Sequence, residues 1–292
     1  MKISDAYADG RFGLSFELFP PKTPAGEEAL FGHLDRLIEF GPSYITCTYG
    51  AGGSTQKKTL EIVDRVQSSY GCMVASHLTC VGLSRSELID YLNDAAKRNI
   101  SNIVALRGDP PQGTDSFEPA ADGLRYASEL VALIRDEFPD FGIAVAGYPE
   151  THREAVSPEA DLENLQRKVQ FGGDLVITQL FYDNADFFRF QQLCAEREID
   201  VPIVPGILPV TNLAQVQRIS GLCGATLPPA FEEALTRCGE DAEKQFEVGV
   251  RFAIEQVTEL INHGVPGIHF YVLNKSNATA RILDSVKVPS QS

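Results

Sequence analysis

Residues 142–178 read GIAVAGYPETHREAVSPEADLENLQRKVQFGGDLVIT. The two ends, at 142–147 and 174–178, are short apolar runs of the kind that form strands buried on both faces, as in a parallel sheet. Between them Ser157 stands before Pro158, an N-cap residue followed by a proline in the first helical turn. Leu162, Leu165 and Val169 then recur at spacings of three and four, which marks a buried helical stripe. The stretch is one strand–helix–strand unit. The same alternation continues outwards, with apolar runs at 14–19, 43–48, 72–77 and 102–106 before it and at 201–206 and 267–271 after it. Helical stripes fill the gaps: Leu30, Leu34 and Leu37, then Leu60, Ile62, Val63 and Val66, then Leu88, Leu92 and Ala96, then Leu130, Leu133 and Ile134. Strand starts lie about 27–40 residues apart, the size of one βα unit, until a last gap of about 66 that holds two helical stretches, near 228–236 and 240–263. Eight strands with helices between them is the count of an α/β protein built as a (β/α)8, or TIM, barrel. An open doubly wound sheet is the rival, but no glycine-rich dinucleotide fingerprint follows the first strand. The expectation is a single domain over residues 1–292.

Composition narrows the function. The chain carries 40 acidic against 25 basic residues, a net charge of −15. That balance argues against nucleic acid or an anionic membrane as the main partner. No apolar run is long enough to span a bilayer, and the N-terminus lacks the apolar core of a secretory signal, so a cytoplasmic protein is expected. Six cysteines at 47, 72, 80, 194, 223 and 238 form no CxxC pair. His77 and Cys80 make one HxxC pair without a second to complete a zinc site, so no metal is expected and the thiols read as reduced.

Barrel active sites lie at the C-terminal ends of the strands. Those ends deliver Glu17, Thr48, Tyr49, His77, Arg107, Gly108, Asp109, Tyr148 with His152, Gln179 and Tyr271. Any one of them is as readily a cap or a packing residue; the informative feature is that nearly every strand supplies one. Glu17 lies in FELFPP, where an apolar setting would raise a carboxyl pKa and suit a general acid, with a salt-bridged glutamate as the alternative. Arg107-Gly108-Asp109-Pro110-Pro111 sets a cation and a carboxylate on a tight turn that Gly108 opens to close approach, or else a turn held by its own Arg–Asp pair. Asp161, Asn164 and Lys168 share one helical stripe, either solvated surface or a lining that bonds a sugar or phosphate. There is no HxH or HxxE pair, no oriented Cys–His pair, no GxSxG and no GxxxxGK[ST].

In the segments SFELFPPKT, TYGAGGST, ASHLTC, NIVALRGDPP, AGYPETH, ADLENLQRKV, ITQLFYD, PGILPVTN and HFYVLN, in this order from about residue 14 to 275, the chain resembles the methylenetetrahydrofolate reductases. Its length is that of the bacterial form, which has the catalytic domain alone. The resemblance implies a flavin-bearing barrel, without metal, that reduces 5,10-methylenetetrahydrofolate to 5-methyltetrahydrofolate. NAD(P)H would be the donor, with hydride passing through FAD in a ping-pong scheme that supplies methyl groups for methionine synthesis. It further implies a homo-oligomer. Glu17 corresponds to the general acid, Asp109 to the carboxylate near flavin and substrate, and Gln179 to the residue that holds the pterin. FAD contacts carry over to Thr48, Tyr49, His77, Arg107, Gly108, Asp109, Tyr126, Ala127, Tyr148, His152, Asp161, Asn164, Arg167 and Lys168. Tyr271, Leu213 and Lys275 fall at substrate positions. Two of these depart from the pattern: Leu213 stands where some bacterial members have Phe, and Lys275 where they have Arg, which keeps the charge but loses the bidentate fork. A metal-dependent barrel lyase or hydrolase and a flavin-free folate-binding methyl-transfer barrel are the alternatives.

Overall fold

The computed structural model describes residues 1–49, 56–108 and 119–289. After a 3-10 segment, Ile3–Gly10, the chain runs β1 (Gly13–Leu18), α1 (Pro24–Ile38), β2 (Tyr44–Cys47), α2 (Gln56–Tyr70), β3 (Val74–Thr79), α3 (Arg85–Lys97), β4 (Asn102–Leu106), α4 (Ala127–Glu137), β5 (Gly142–Gly147), α5 (Pro158–Gln170), β6 (Leu175–Thr178), α6 (Asn184–Glu196), β7 (Ile203–Val204), β8 (Gly206–Ile207), α7 (Leu213–Cys223), α8 (Pro229–Arg237), α9 (Ala242–His263), β9 (Gly267–Tyr271) and α10 (Asn277–Ser285). All pairings are parallel, in the order β7-β6-β5-β4-β3-β2-β1-β9-β8. The expected barrel is present.

One expected strand is divided. The run at 201–206 becomes β7, which pairs with β6, and β8, which pairs with β9. Pro205 lies between them and has no N–H to give either ladder, although its carbonyl accepts from His269 N at 3.0 Å. The ring of strand positions is therefore joined through a kink at Pro205. The third strand also starts at Val74 rather than at 72 and runs on to Thr79. Helices α6, α7 and α10 and the N-terminal 3-10 segment lie outside the helical stretches that the sequence marks. Helix α7 does carry the usual signals, an Asn212 side chain that caps its first turn and a left-handed Gly224 that stops it.

Side chains alternate along each strand. On β1 the residues Leu14, Phe16 and Leu18 join the large apolar shell beneath the helices, while Ser15 and Glu17 face the barrel axis. The lower interior is apolar, with Ala75, Val104, Ala144, Leu175 and Val204 packed around Tyr44. The 3-10 segment plugs this end: Ile3 N donates to Asn102 Oδ1 at 2.7 Å and the Tyr7 and Tyr44 hydroxyls meet at 2.7 Å. Polar groups are thereby left to the opposite, C-terminal mouth.

Gly206 is fixed by the same closure. A Cβ there would lie 2.2 Å from the Thr178 carbonyl oxygen and 2.7 Å from the Tyr271 ring. Gly206→Ala is expected to cost about 1–3 kcal/mol through overpacking. Thermal unfolding would show a Tm several degrees lower; an unchanged Tm would refute this account of the closure.

Candidate active site

The register of three neighbouring strands builds the centre of the mouth. Glu17 lies beside Thr46 on β2 and Tyr271 on β9, and Ser15 beside His269. Inward-facing His77 comes from β3. Glu17 Oε2 is 3.3 Å from His77 Nε2 and 3.5 Å from His269 Nε2, and all three side chains are buried. The simple apolar setting expected for Glu17 is therefore corrected. Its strand buries Phe16 and Leu18 on the other face, and the parallel register brings two imidazoles to the carboxyl. His269 Nδ1 is held by Ser15 Oγ at 2.8 Å, which orients the ring. Burial holds the His77 imidazole below its ordinary pKa, against the smaller opposing pull of Glu17 and with His269 adding to the lowering. Among the described residues the hydroxyls of Thr46 and Thr79, and the Nε2 atoms of His77 and His269, are buried without a hydrogen-bond partner, so the contacts of both rings with Glu17 are electrostatic rather than hydrogen bonds. Tyr271 donates to the Thr178 carbonyl at 2.6 Å and stands edge-on to His269 at 5.2 Å. Burial and the Glu17 charge push its phenol far above the usual value.

A second cluster lies at the ends of β4 and β5 and on α5. Ser157 caps α5 as expected, accepting from Ala160 N at 3.2 Å. The first turn brings Asp161 back to the loop, where its Oδ2 accepts from His152 N at 2.9 Å. Two turns on, Lys168 Nζ donates to the Ala146 carbonyl at 2.6 Å and lies 5.9 Å from the centre of the Tyr148 ring. Tyr148 and His152 meet edge-on at 4.7 Å. Burial, partly countered by Asp161, pulls the Lys168 ammonium down to about 8. Lys168 has no ion-pair partner among the described residues. Asn164 Oδ1 accepts from the exposed Arg167 at 3.4 Å. Arg107 forks onto Glu154 at 2.6 and 2.8 Å. Two of the three stripe residues are thus more than solvated surface: Asp161 and Lys168 turn into the mouth, while Asn164, with neighbouring Arg167, remains on the outside.

The remaining expected residues fall in several places. Gly108 has φ +89°, and a Cβ on it would lie 2.6 Å from Val81 Cγ1, so the turn after β4 needs glycine to pass β3. Asp109 lies outside the described residues, as does most of TYGAGGST. Thr48 continues the β1–β2 pairing, its N–H donating to the Leu18 carbonyl at 2.8 Å. The Tyr49 ring is edge-on to Tyr91 within the helix-side shell. Tyr126 is an exposed ring at the N-cap of α4, with Ala127 its first residue. Gln179 is half-buried past β6, and its Oε1 accepts from Leu180 N at 2.9 Å. Leu213 opens α7 with its N–H on Gln245 Oε1 at 2.8 Å. Lys275 is exposed and follows Leu273 and Asn274, both in left-handed backbone. Asn274 ties that loop to the exit of β1 with two 2.8 Å bonds to the backbone of Phe19. His269 and Asn274 were missed by sequence reasoning. Both lie in the motif HFYVLN, and alternation along β9 already puts His269 on the face of Tyr271.

The arrangement suits a reaction that needs one proton and a bound anion. Glu17 places a buried carboxyl against two imidazoles. The half-buried ammonium of Lys168, which makes no salt bridge among the described residues, has the charge and hydrogen-bonding capacity to meet an anionic group. The family model described as methylenetetrahydrofolate reductase matches residues 2–287. A probable methylenetetrahydrofolate reductase (NADH) of Oryza sativa subsp. japonica is 40% identical over 97% of this chain and 49% of its own length. The 5,10-methylenetetrahydrofolate reductase of Escherichia coli (strain K12) is 38% identical over 97% of this chain and 93% of its own. The chain thus spans about half the length of the plant relatives that it matches. Among solved structures, a Clostridium thermocellum protein that binds two copies of 5-methyl-5,6,7,8-tetrahydrofolic acid superposes with a TM-score of 0.63 at 17% identity, over 97% of this chain and 98% of its own. At that identity the likeness shows a shared fold.

Proposed function

The chain belongs to the methylenetetrahydrofolate reductase family, and from this we propose that it reduces 5,10-methylenetetrahydrofolate to 5-methyltetrahydrofolate with NAD(P)H as the donor and FAD as the resident cofactor. The observation that carries the reading is the buried Glu17 carboxyl between two imidazoles, across the barrel mouth from the Lys168 ammonium, which makes no salt bridge among the described residues. When bound, FAD supplies a carrier that accepts hydride from the nicotinamide and returns it to the folate, the two substrates using the site in turn.

The chain's own residues do the rest. Arg107 and Lys168 hold the diphosphate, while His152 and Asp161 line the sugar. Glu17 protonates N10 of the folate, which opens the five-membered ring to an iminium cation. His77 and His269 flank the carboxyl, and Ser15 fixes His269. Asp109 stabilises the cation by charge. The Gln179 amide presents a donor and an acceptor to the pterin edge once its Oε1 leaves Leu180 N. Leu213 offers an apolar face, and exposed Lys275 gives a single-point cation for the carboxylate tail.

Anaerobic rapid mixing tests this. The purified protein is expected to be yellow, to bleach on adding NADH or NADPH, and to recover its colour on adding methylenetetrahydrofolate. A colourless protein that binds folate would favour the flavin-free methyl-transfer barrel. A colourless protein whose activity is lost to chelators would favour the metal-dependent barrel. Bleaching without recovery by folate would refute folate as the acceptor.

A further inference from the structure

The guanidinium of Arg107 is engaged on its two-pronged edge: Nη1 donates to Glu154 Oε2 at 2.6 Å and Nη2 to Glu154 Oε1 at 2.8 Å, while Nε donates to the Gly108 carbonyl at 3.2 Å. This edge takes a carboxylate or a pair of phosphate oxygens by the same geometry. Glu154 is fixed in the cluster already described. Its N–H donates to His152 Nδ1 at 3.1 Å, and the His152 N–H in turn holds Asp161. The pair bridges the end of β4 and the loop ahead of α5, with Arg107 largely covered and Glu154 half-exposed. The Arg107 hydrogen bonds, reinforced by its charge, hold the Glu154 carboxyl below the usual carboxylate range.

We infer that Glu154 is a built-in competitor for the cofactor's anionic part: it holds the Arg107 fork when no dinucleotide is bound and gives that fork up to a phosphate when one binds. The inference rests on the assignment of Arg107 to the diphosphate. Without the cofactor, an unpaired guanidinium beside His152 and Lys168 would concentrate positive charge at the mouth. The carboxylate neutralises it, at a cost in affinity that removal of Glu154 would recover.

Release of FAD from the holoprotein on serial dilution, followed as free-flavin fluorescence, tests the inference. Glu154→Gln is expected to tighten FAD roughly three- to fivefold, the scale of a partly exposed ion pair. Its affinity should also fall more steeply with salt, because screening of the Glu154–Arg107 pair no longer offsets screening of the fork–phosphate contact. Glu163→Gln, on the exposed side of α5, removes one negative charge without touching Arg107 and is expected to leave FAD affinity unchanged. Arg107→Ala is expected to weaken FAD. If Arg107→Ala weakens FAD but Glu154→Gln leaves it equal or weaker, competition is overturned while the diphosphate assignment stands. If Glu163→Gln tightens FAD as much as Glu154→Gln, the effect is bulk charge and the inference also fails. If Arg107→Ala leaves FAD affinity intact, the assignment and the inference fall together.

Discussion

Glu17→Gln is expected to bleach normally with NAD(P)H and to lose folate reduction by about 10²–10⁴-fold, the range for a removed general acid. The substitution keeps the shape of the side chain, so the barrel and the flavin contacts should survive. Among the described residues it removes the one carboxyl within 4 Å of both His77 Nε2 and His269 Nε2. In the proposed reaction, hydride transfer from nicotinamide would need no proton from that group, whereas ring opening of the folate would. The two half-reactions should therefore separate, and rapid mixing of each would show it. Folate turnover near the wild-type rate would end the assignment of Glu17 as the acid. His269→Ala should give a smaller loss in the same half-reaction, because the carboxyl remains and only its orientation is disturbed.

The second large effect concerns Lys168. Lys168→Met is expected to weaken FAD by roughly 10–100-fold, the scale of a hydrogen bond to a charged group. The pH dependence has a definite sign. In the folded protein the ammonium gives up its proton near 8, against 10.5 for the ordinary side chain. Between those values the unfolded chain binds more protons, so the flavin-free protein gains stability as pH rises. A bound diphosphate favours the charged amine and reverses the preference. FAD affinity should fall as pH rises through about 8 in the wild type and stay flat and weak in Lys168→Met. Fluorescence titrations at several pH values would measure both. Equal affinity in the two proteins would place Lys168 outside the cofactor site.

The strand–helix–strand reading of 142–178, carried outwards, was enough to reach an eight-position barrel, because strands buried on both faces must be apolar throughout and their spacing is set by the helix each must carry. The rule that such sites lie at strand ends located Glu17, His77, Arg107 and Gln179. The Ser157 cap and the three-and-four spacing placed Asp161 and Lys168 on one helix face. These are local properties, written in a few adjacent residues. Tertiary structure decided which polar residues meet. That Glu17 lies between His77 and His269 depends on the register of β1, β3 and β9, set by packing around a closed sheet, and 252 positions separate the first and last of these residues. That Glu154 claims the Arg107 fork depends on how the loop before α5 crosses the mouth. The division of the 201–206 run follows from closure itself: Pro205 cannot donate to a ladder, so the strands on either side each bond a different neighbour. Periodicity along the chain determined the elements and the face that carries the chemistry. Contacts between residues far apart in sequence, which no local pattern encodes, determined the pairs of groups that would do it.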